Sequence, residues 1–192
     1  MDKRVCVLLA PGYEEVEALT PVDYLRRAGL VVDVVSTTED IAVESSHKVI
    51  VQADTFLDDI QAKDYALVVI PGGLPGAPNL AANPKVIDLL QAVYAQGDYV
   101  AALCAGPIVL EKAGLLKSRA CTCFPGVEDK LESKGSFKTD TVVRDDRVIT
   151  SRGAGAAGYF SLALIEALVG PEKAAEVKKA VVMDIVEDNL RG

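Results

Sequence analysis

The chain has 192 residues, half of them hydrophobic and a quarter charged, with a net charge of −8 at pH 7. This length predicts one domain, residues 1–192, with a sizeable core. The acidic balance and the lack of a Lys/Arg cluster argue against a protein whose main task is binding nucleic acid. No apolar run approaches the ~20 residues that cross a bilayer, and we read no signal peptide, so we expect a cytoplasmic protein without a membrane partner.

Strands and helices alternate along the first part of the chain. Residues 4–10 form a continuous apolar run, which is typical of a parallel strand covered on both faces. Three acidic residues, Glu14, Glu15 and Glu17, then crowd the first turn of a predicted helix, where they oppose the helix dipole favourably. Thr20-Pro21 either interrupts this helix or begins a second one, because proline disrupts a helix interior.

The next part of the chain continues this alternation. It predicts a strand at residues 31–36, a hairpin of residues 41–43 and 48–52, a short helix at 54–60, a strand at 65–70 and a helix from Pro84 to a stop at Gly97. The loop at residues 71–76 is too rich in glycine and proline for a regular element. Its Gly72-Gly73 pair either presents backbone N–H groups to an oxyanion or forms a tight turn with positive φ.

One cysteine lies where an apolar strand meets a helix start. The strand-type run at residues 99–103 leads into Cys104-Ala105-Gly106-Pro107, and the proline suits the first turn of a helix. Small residues on either side of Cys104 predict a nucleophile elbow that lifts the side chain clear of the sheet. A helix N-terminus near the sulfur would favour the thiolate. The alternative is that Cys104 is a small buried apolar residue.

The remaining segments complete an α/β pattern. They are a helix ending near Gly114, a strand at 120–123, a polar helix at 127–134, a hairpin of 142–144 and 148–150, and helices at 157–168 and 172–182. Apolar strands that alternate with helices predict a mainly parallel sheet covered on both faces. In such sheets ligands bind beyond the carboxyl ends of the strands, where Cys104 and the Gly72-Gly73 loop are expected.

A cysteine nucleophile needs a group that moves protons. The one histidine, His47, falls in a polar turn, where we expect it to be exposed to solvent. A carboxylic acid can take its place: burial would raise the pKa of Glu17, and its protonated form would donate a hydrogen bond to the thiolate. The alternative for Glu17 is a solvated helix face, which is the position expected for Glu14 and Glu15.

The other cysteines do not predict a metal site. Cys121-Thr-Cys123 lacks the usual two-residue zinc spacing and has no second pair, so we expect both side chains to pack on one face of a strand. One histidine and scattered cysteines do not assemble a metal constellation, and no Walker-type loop is present. We therefore predict neither a metal nor a cofactor.

Several short segments form a pattern that is specific when they are taken together. They are residues 10–17 (APGYEEVE), 21–23 (PVD) with 26–29 (RRAG), 69–73 (VIPGG), 101–107 (AALCAGP) and 150–153 (TSRG). With these segments the chain resembles the DJ-one (ThiJ/PfpI) superfamily almost end to end, and in particular its small dimeric branch that includes the Parkinson-disease protein deglycase and bacterial YajL. The resemblance implies a flavodoxin-like three-layer sandwich and a homodimer with its sites near the interface.

The resemblance also implies roles for individual residues. It maps the reactive cysteine onto Cys104, the protonated glutamate onto Glu17, and the amide-donating loop onto Gly72 and Gly73.

Two positions depart from the family pattern. Phe124 stands where eukaryotic members usually carry a histidine, which puts a histidine-dependent glyoxalase step in doubt and leaves proton transfer to Glu17. Ala105 stands where the protease branch has a histidine, which argues against a peptidase.

Two functions fit these residues, each with a role in oxidative and carbonyl stress. The first is a cofactor-independent glyoxalase or protein deglycase acting on methylglyoxal, glyoxal or early glycation adducts. In it Cys104 adds to the aldehyde carbon, Glu17 moves a proton between carbons, and N–H groups of Gly72, Gly73 and Ala105 stabilise the oxyanion. The second is a redox-sensing chaperone whose Cys104 is oxidised to a sulfinic acid that Glu17 stabilises. The expected partners are a second copy of the chain and small dicarbonyls or glycated proteins.

Overall fold

The computed structural model describes residues 4–191 and is built around β-strands that alternate with helices. The strands are β1 (Arg4–Leu9), β2 (Val31–Ser36), β3 (Ala42–Glu44), β4 (Ile50–Gln52), β5 (Thr55–Phe56), β6 (Tyr65–Ile70), β7 (Tyr99–Leu103), β8 (Ala120–Cys121), β9 (Ser136–Phe137), β10 (Val142–Asp145) and β11 (Val148–Ser151). The helices are α1 (Glu15–Arg27), α2 (Gly76–Ala82), α3 (Pro84–Ala95), α4 (Pro107–Lys112), α5 (Ala157–Val169), α6 (Pro171–Ala180) and α7 (Met183–Arg191). Between residues 4 and 191, no helix combines the length and apolarity that crossing a bilayer requires.

The main sheet has seven strands in the order β10-β11-β7-β6-β1-β2-β5. Its neighbouring strands are parallel, apart from the antiparallel hairpin β10–β11. The order β2-β1-β6-β7-β11 is that of a doubly wound sheet. From β1 the chain first adds β2 on one side and later adds β6, β7 and β11 on the other, so the strand order reverses between β1 and β6. The predicted α/β class with a mainly parallel, flavodoxin-like sheet is confirmed.

The central strands supply two separate hydrophobic cores. On β1, Val5, Val7 and Leu9 pack with α1 and α5, whereas Cys6 and Leu8 pack with α3 and α4. Successive side chains of a strand point to opposite faces of the sheet. This is why the central strands are apolar throughout, and why helices cover both faces.

Helix α1 runs through its proline without a break. Pro21 lies inside α1 and is buried, so the predicted interruption at Thr20-Pro21 is wrong. A proline in a helix interior loses one backbone hydrogen bond. Burial of the neighbouring Val22 and Leu25 in the core with α5 offsets that loss, because tertiary packing supplies most of the stability of a helix in a protein.

Two predicted helices, at residues 54–60 and 127–134, do not form. Residues 54–60 form the short strand β5 followed by one 3₁₀ turn, Leu57–Asp59. The polar stretch 127–134 contains one 3₁₀ turn, Glu128–Lys130, because it has too few apolar side chains to pack a helical face. The structure adds α7, which follows α6 and was not predicted.

The topology brings distant loops together at the point where the strand order reverses. Tyr13, in the loop after β1, accepts a hydrogen bond at its carbonyl oxygen from the N–H of Ser46 in the β3–β4 turn, at 2.7 Å. The N–H of Glu14 donates to the carbonyl of Gly72, in the loop after β6, at 3.1 Å. The end of β7 lies beside β6 in the sheet. Ligands of doubly wound sheets bind at this edge.

Candidate active site

Cys104 lies at a sharp turn between β7 and α4. Its φ is +59°, in the left-handed region that residues with side chains rarely adopt. The backbone on both sides holds this conformation, since the N–H of Cys104 donates to Ser151 O and its carbonyl accepts from Phe124 N–H, each at 3.0 Å. The turn therefore has the geometry of the predicted elbow, with Pro107 in the first turn of the helix that follows.

Glu17 is buried beside this turn. Only 1 % of the residue is exposed, which excludes the alternative of a solvated helix face. Its Oε2 accepts a hydrogen bond from the N–H of Gly72 at 2.8 Å, and the Cys104 side chain and the N–H of Ala154 lie close enough to act on the pKa of its carboxyl. The first turn of α1 fixes its backbone, because the N–H of Glu17 donates to the capping carboxylate of Glu14 at 2.7 Å.

Burial gives the Glu17 carboxyl an unusual acidity. Desolvation raises its pKa to about 7, and the negative charge of Glu14 acts in the same direction. Hydrogen bonds from Cys104, Gly72 and Ala154 lower the pKa in part. Burial therefore accounts for the raised pKa predicted for this carboxyl and places its change of charge near neutral pH.

The thiol behaves differently from the sequence-based expectation. Burial raises the pKa of Cys104 to about 12, and the charge of ionised Glu17 and the hydrogen bond to its carboxylate add to the rise. The N–H groups of Ala105 and Gly73 act in the opposite direction. The N–H of Ala105, just before α4, lowers this pKa as expected for a helix start, but desolvation has the larger effect.

The sulfur and the carboxyl form a pair that shares its protons. When Glu17 holds a proton, its charge no longer opposes ionisation of Cys104. Loss of one proton from the pair therefore leaves one negative charge, which either the carboxylate or the sulfur can carry. Backbone N–H groups act on both positions: the N–H of Gly72 donates a hydrogen bond to the carboxyl, and the N–H groups of Gly73 and Ala105 lower the pKa of the thiol.

Gly72 is the point where these groups converge. A Cβ atom at this position would lie 2.6 Å from Glu17 Oε2 and 2.8 Å from both the nitrogen of Ala105 and the Cβ of Cys104. The N–H of Gly72 is engaged by Glu17. Of the three amides predicted to line an oxyanion site, those of Gly73 and Ala105 face the sulfur and that of Gly72 does not. Gly73 also has a φ of +89°, so the tight-turn alternative applies to it as well.

Phe124 lies at the edge of the site and is half exposed. A Cβ built on Gly153 would lie 3.4 Å from Cδ2 of the Phe124 ring and 3.8 Å from Oε1 of Glu17. The ring and the carboxyl therefore both lie near Gly153. An apolar side chain occupies this position, and it has no atom that can transfer a proton.

His47 lies close to α1, which the sequence pattern did not indicate. It is exposed, as predicted, yet its Nδ1 lies 3.0 Å from Oε1 of Glu15, whose side chain is only 17 % exposed. Glu14 and Glu15 are partly exposed whereas Glu17 is buried, as the sequence predicted, and the Glu15 side chain contacts the β3–β4 turn through His47. The pattern of a hairpin does not show where the hairpin packs, so only the three-dimensional fold could reveal this contact.

The other three cysteines are inaccessible. Cys6, Cys121 and Cys123 are each 0 % exposed, which confirms the predicted packing of the Cys-Thr-Cys segment. Cys104 is partly exposed, so it is the cysteine that a reagent in solution can reach.

Comparisons with known proteins agree with this geometry. The model of the DJ-1/PfpI family matches residues 3–167, and the chain belongs to this family. It is 39 % identical to protein dj-1beta of Drosophila melanogaster over 184 residues, which cover 95 % of this chain and 98 % of that protein. The crystal structure of the fly protein superposes with a TM-score of 0.90 at 40 % identity, covering 95 % of this chain and 98 % of the fly chain.

Two further relatives have descriptions that bear on function. The glutathione-independent glyoxalase DJR-1.2 of Caenorhabditis elegans is 38 % identical over 181 residues, covering 93 % of this chain and 95 % of the worm protein. The structure of oxidized Toxoplasma gondii DJ-1 superposes with a TM-score of 0.88 at 33 % identity, covering 94 % of this chain and 98 % of that chain.

Replacement of Gly72 by alanine should disrupt the site. The added methyl group would meet three fixed atoms at under 3 Å, and overpacking of this kind costs about 1–3 kcal/mol. We expect a lower free energy of unfolding in urea and a changed rate of Cys104 alkylation by iodoacetamide. Gly155→Ala is the matched control, since nothing lies within 4 Å of its added Cβ. Equal stability and equal alkylation in the two variants would contradict the convergence at Gly72.

Replacement of Glu17 by glutamine should change how stability depends on pH. A folded-state pKa of about 7 against an ordinary value of 4.5 means that the wild type loses stability as pH rises between these values. Glu17→Gln lacks this loss. The free energy of unfolding of the variant, relative to that of the wild type, should therefore increase by up to about 3 kcal/mol between pH 4.5 and 8. Denaturant unfolding across this pH range measures the difference, with the exposed Glu39→Gln as control. A constant difference at all pH values would show that Glu17 ionises normally.

Proposed function

We propose that this member of the DJ-1/PfpI family is a cofactor-independent glyoxalase or protein deglycase that acts on methylglyoxal, glyoxal or early glycation adducts. The supporting observation is that the buried carboxyl of Glu17 and the side chain of Cys104 both lie against Gly72 and act on each other's pKa, while the N–H groups of Gly73 and Ala105 lower the pKa of the thiol. A worm relative described as a glutathione-independent glyoxalase supports the same chemistry.

The first step joins the sulfur to the aldehyde. Sγ of Cys104 attacks the aldehyde carbon of methylglyoxal while Glu17, ionised near neutral pH, takes the thiol proton. The proton passes to the former carbonyl oxygen, and a hemithioacetal results. A general base is most effective when its pKa lies near the working pH, and burial gives Glu17 that property.

The second step moves hydrogen between carbons. The Glu17 carboxylate removes the proton from the sulfur-bearing carbon, and an enediolate forms. The protonated carboxyl then returns the proton to the neighbouring carbon, while the hydroxyl proton of the sulfur-bearing carbon passes to the neighbouring oxygen. The N–H groups of Gly73 and Ala105 face this region and stabilise the negative oxygen that develops. The sulfur-bearing carbon is oxidised and its neighbour reduced, so no external oxidant is needed. Water then cleaves the thioester to lactate and the free thiol.

Phe124 leaves this proton transfer to one residue. Because the ring of Phe124 has no ionisable atom, the base at each step is the carboxyl of Glu17. Desolvation of this carboxyl by burial is the main cause of its raised pKa.

The proposed setting of this activity is a homodimer in the cytoplasm. Val16, next to the buried Glu17, is 46 % exposed on α1, and burial of this side chain by a second copy would close the surface beside the site. The partners are then a second copy of the chain and small dicarbonyls or glycated proteins, as expected from the sequence.

Purified protein should convert methylglyoxal to lactate without glutathione. Cys104→Ser should lower the rate at least about 100-fold, because the nucleophile is lost, and Glu17→Gln should lower it by about 10²–10⁴ because the base is lost. Lactate is measured enzymatically at pH 7, with Cys121→Ser as the control that keeps the rate. A Cys104→Ser protein as active as the wild type would rule the proposal out.

A second function, redox sensing by a protective chaperone, is favoured by a separate observation. Cys104 is the one partly exposed cysteine of the four, and the other three are fully buried. Two molecules of hydrogen peroxide would convert its thiol to a sulfinic acid and release two molecules of water. The neighbouring carboxyl, when protonated, would donate a hydrogen bond to the sulfinate. A Toxoplasma relative of known structure is described as oxidized.

Mild peroxide should therefore add oxygen to one residue. Intact-mass measurement should show a gain of about 32 Da, the mass of two oxygen atoms, and Cys104→Ala should abolish it. The triple variant Cys6→Ser, Cys121→Ser, Cys123→Ser should keep the gain, provided that circular dichroism shows it folded. Oxidation distributed evenly over all four thiols would exclude a dedicated sensor.

A further inference from the structure

Three side chains of metal-ligand type meet beside the N-terminus of α1, apart from the Cys104–Glu17 pair. One carboxylate oxygen each from Glu14 and Glu15 and one imidazole nitrogen of His47 all lie within 4.8 Å of one another. We propose that these three side chains form a binding site for a divalent transition-metal cation of the Zn²⁺ class. The sequence predicted no metal site, because its one histidine and its scattered cysteines form no ligand pattern.

The spacing of the ligand atoms suits such an ion. In a tetrahedral zinc site the ligand atoms lie about 2.0–2.2 Å from the metal, which puts them about 3.3 Å from one another. Nδ1 of His47 and Oε1 of Glu15 are 3.0 Å apart, so they need almost no adjustment. The Glu14 carboxylate has to move by about 1.5 Å at most, which side-chain rotation provides. One of its oxygens caps Glu17 N–H, and the other stays free for a metal.

Two buried polar atoms at this place lack a hydrogen-bond partner. Tyr13 is 0 % exposed and its hydroxyl makes no hydrogen bond, and Oε2 of Glu15 is likewise buried without a donor. Tyr13 directly precedes Glu14 and Glu15 in the chain, and their negative charges help to raise the pKa of its hydroxyl. A buried polar group without a partner is unfavourable. A cation held by both oxygens of the Glu15 carboxylate would also satisfy Oε2, and a water on the cation would donate a hydrogen bond to the phenol oxygen.

The charge and the donor set select the kind of ion. In the part of the chain from residue 4 to 191, no lysine or arginine forms an ion pair with Glu14 or Glu15, and the ion pair of Glu15 is with His47. Two carboxylates therefore stand together with one imidazole as their cationic neighbour. Mg²⁺ and Ca²⁺ prefer sites made of oxygen alone, whereas an imidazole nitrogen with carboxylate oxygens suits Zn²⁺ and its neighbours in the first transition row.

Zinc titration of the full-length chain tests the site. The protein carries Cys104→Ser, because Zn²⁺ also binds thiolates. Isothermal titration calorimetry should show one zinc ion per chain, and His47→Gln or Glu15→Gln added to this background should weaken binding at least about tenfold, as expected for loss of one ligand of three. Lys48→Gln, a change at the next residue of the same exposed turn, should leave the affinity unchanged.

Spectroscopy identifies the ligand independently of affinity. With Cu²⁺ in place of Zn²⁺, electron paramagnetic resonance should show coupling to one imidazole nitrogen, and His47→Gln should remove it. Because His47 is exposed, its replacement does not threaten folding. Absence of saturable zinc binding, equal affinity in His47→Gln, or Mg²⁺ binding as tight as that of Zn²⁺ would each overturn the proposal.

Discussion

The burial of one carboxyl group against one sulfur atom is the constraint on which this site depends. Glu17 is buried, and its carboxyl accepts a hydrogen bond from the N–H of Gly72. Burial raises the pKa of this carboxyl to about 7, so it loses its proton near neutral pH. Cys104 is held in a left-handed turn that no local sequence preference favours. Neither arrangement is the most stable one for its own residue, since an exposed carboxylate and a relaxed turn would both have lower energy. The packing of the sheet and its helices offsets these costs, which is characteristic of positions kept for function rather than for stability.

The doubly wound topology explains how three loops reach this pair. The change of direction between β1 and β6 leaves a gap at the carboxyl edge of the sheet, and the loops after β1, β6 and β7 all enter it. Gly72 lets them approach, because its missing side chain leaves room for the carboxyl of Glu17 and the backbone of Ala105. A methyl group added at Gly72 would force α1 and the turn after β7 away from the loop that contains Gly72 itself. The identity of one glycine is therefore as important to the site as the two reactive side chains.

The sequence predicted the parts of the fold that a repeated pattern controls. Continuous apolar strands, the glycine-rich loop and the Cys-Ala-Gly-Pro turn each have a local physical cause, and each was found where it was predicted. The unbroken α1 and the absent helix at 127–134 depend on what packs against them, which no local pattern contains. The effect of desolvation on the thiol pKa was not predicted for the same reason, since burial is a property of the assembled site. The contact of His47 with Glu15 depends on how a hairpin folds back over α1, so it too became visible only in three dimensions.

The two proposed functions make opposite demands on the same sulfur. Addition to an aldehyde uses a sulfur lone pair, and a sulfinic acid no longer has a nucleophilic sulfur for this purpose. Oxidation of Cys104 would therefore end turnover rather than accompany it. Glu17 favours the first function while it is ionised and can accept a proton, and the second while it is protonated and can donate one. Its pKa of about 7 keeps both forms populated at neutral pH, so the carboxyl suits both chemistries. Which of them occurs at a given moment then depends on whether an aldehyde or an oxidant reaches the sulfur first.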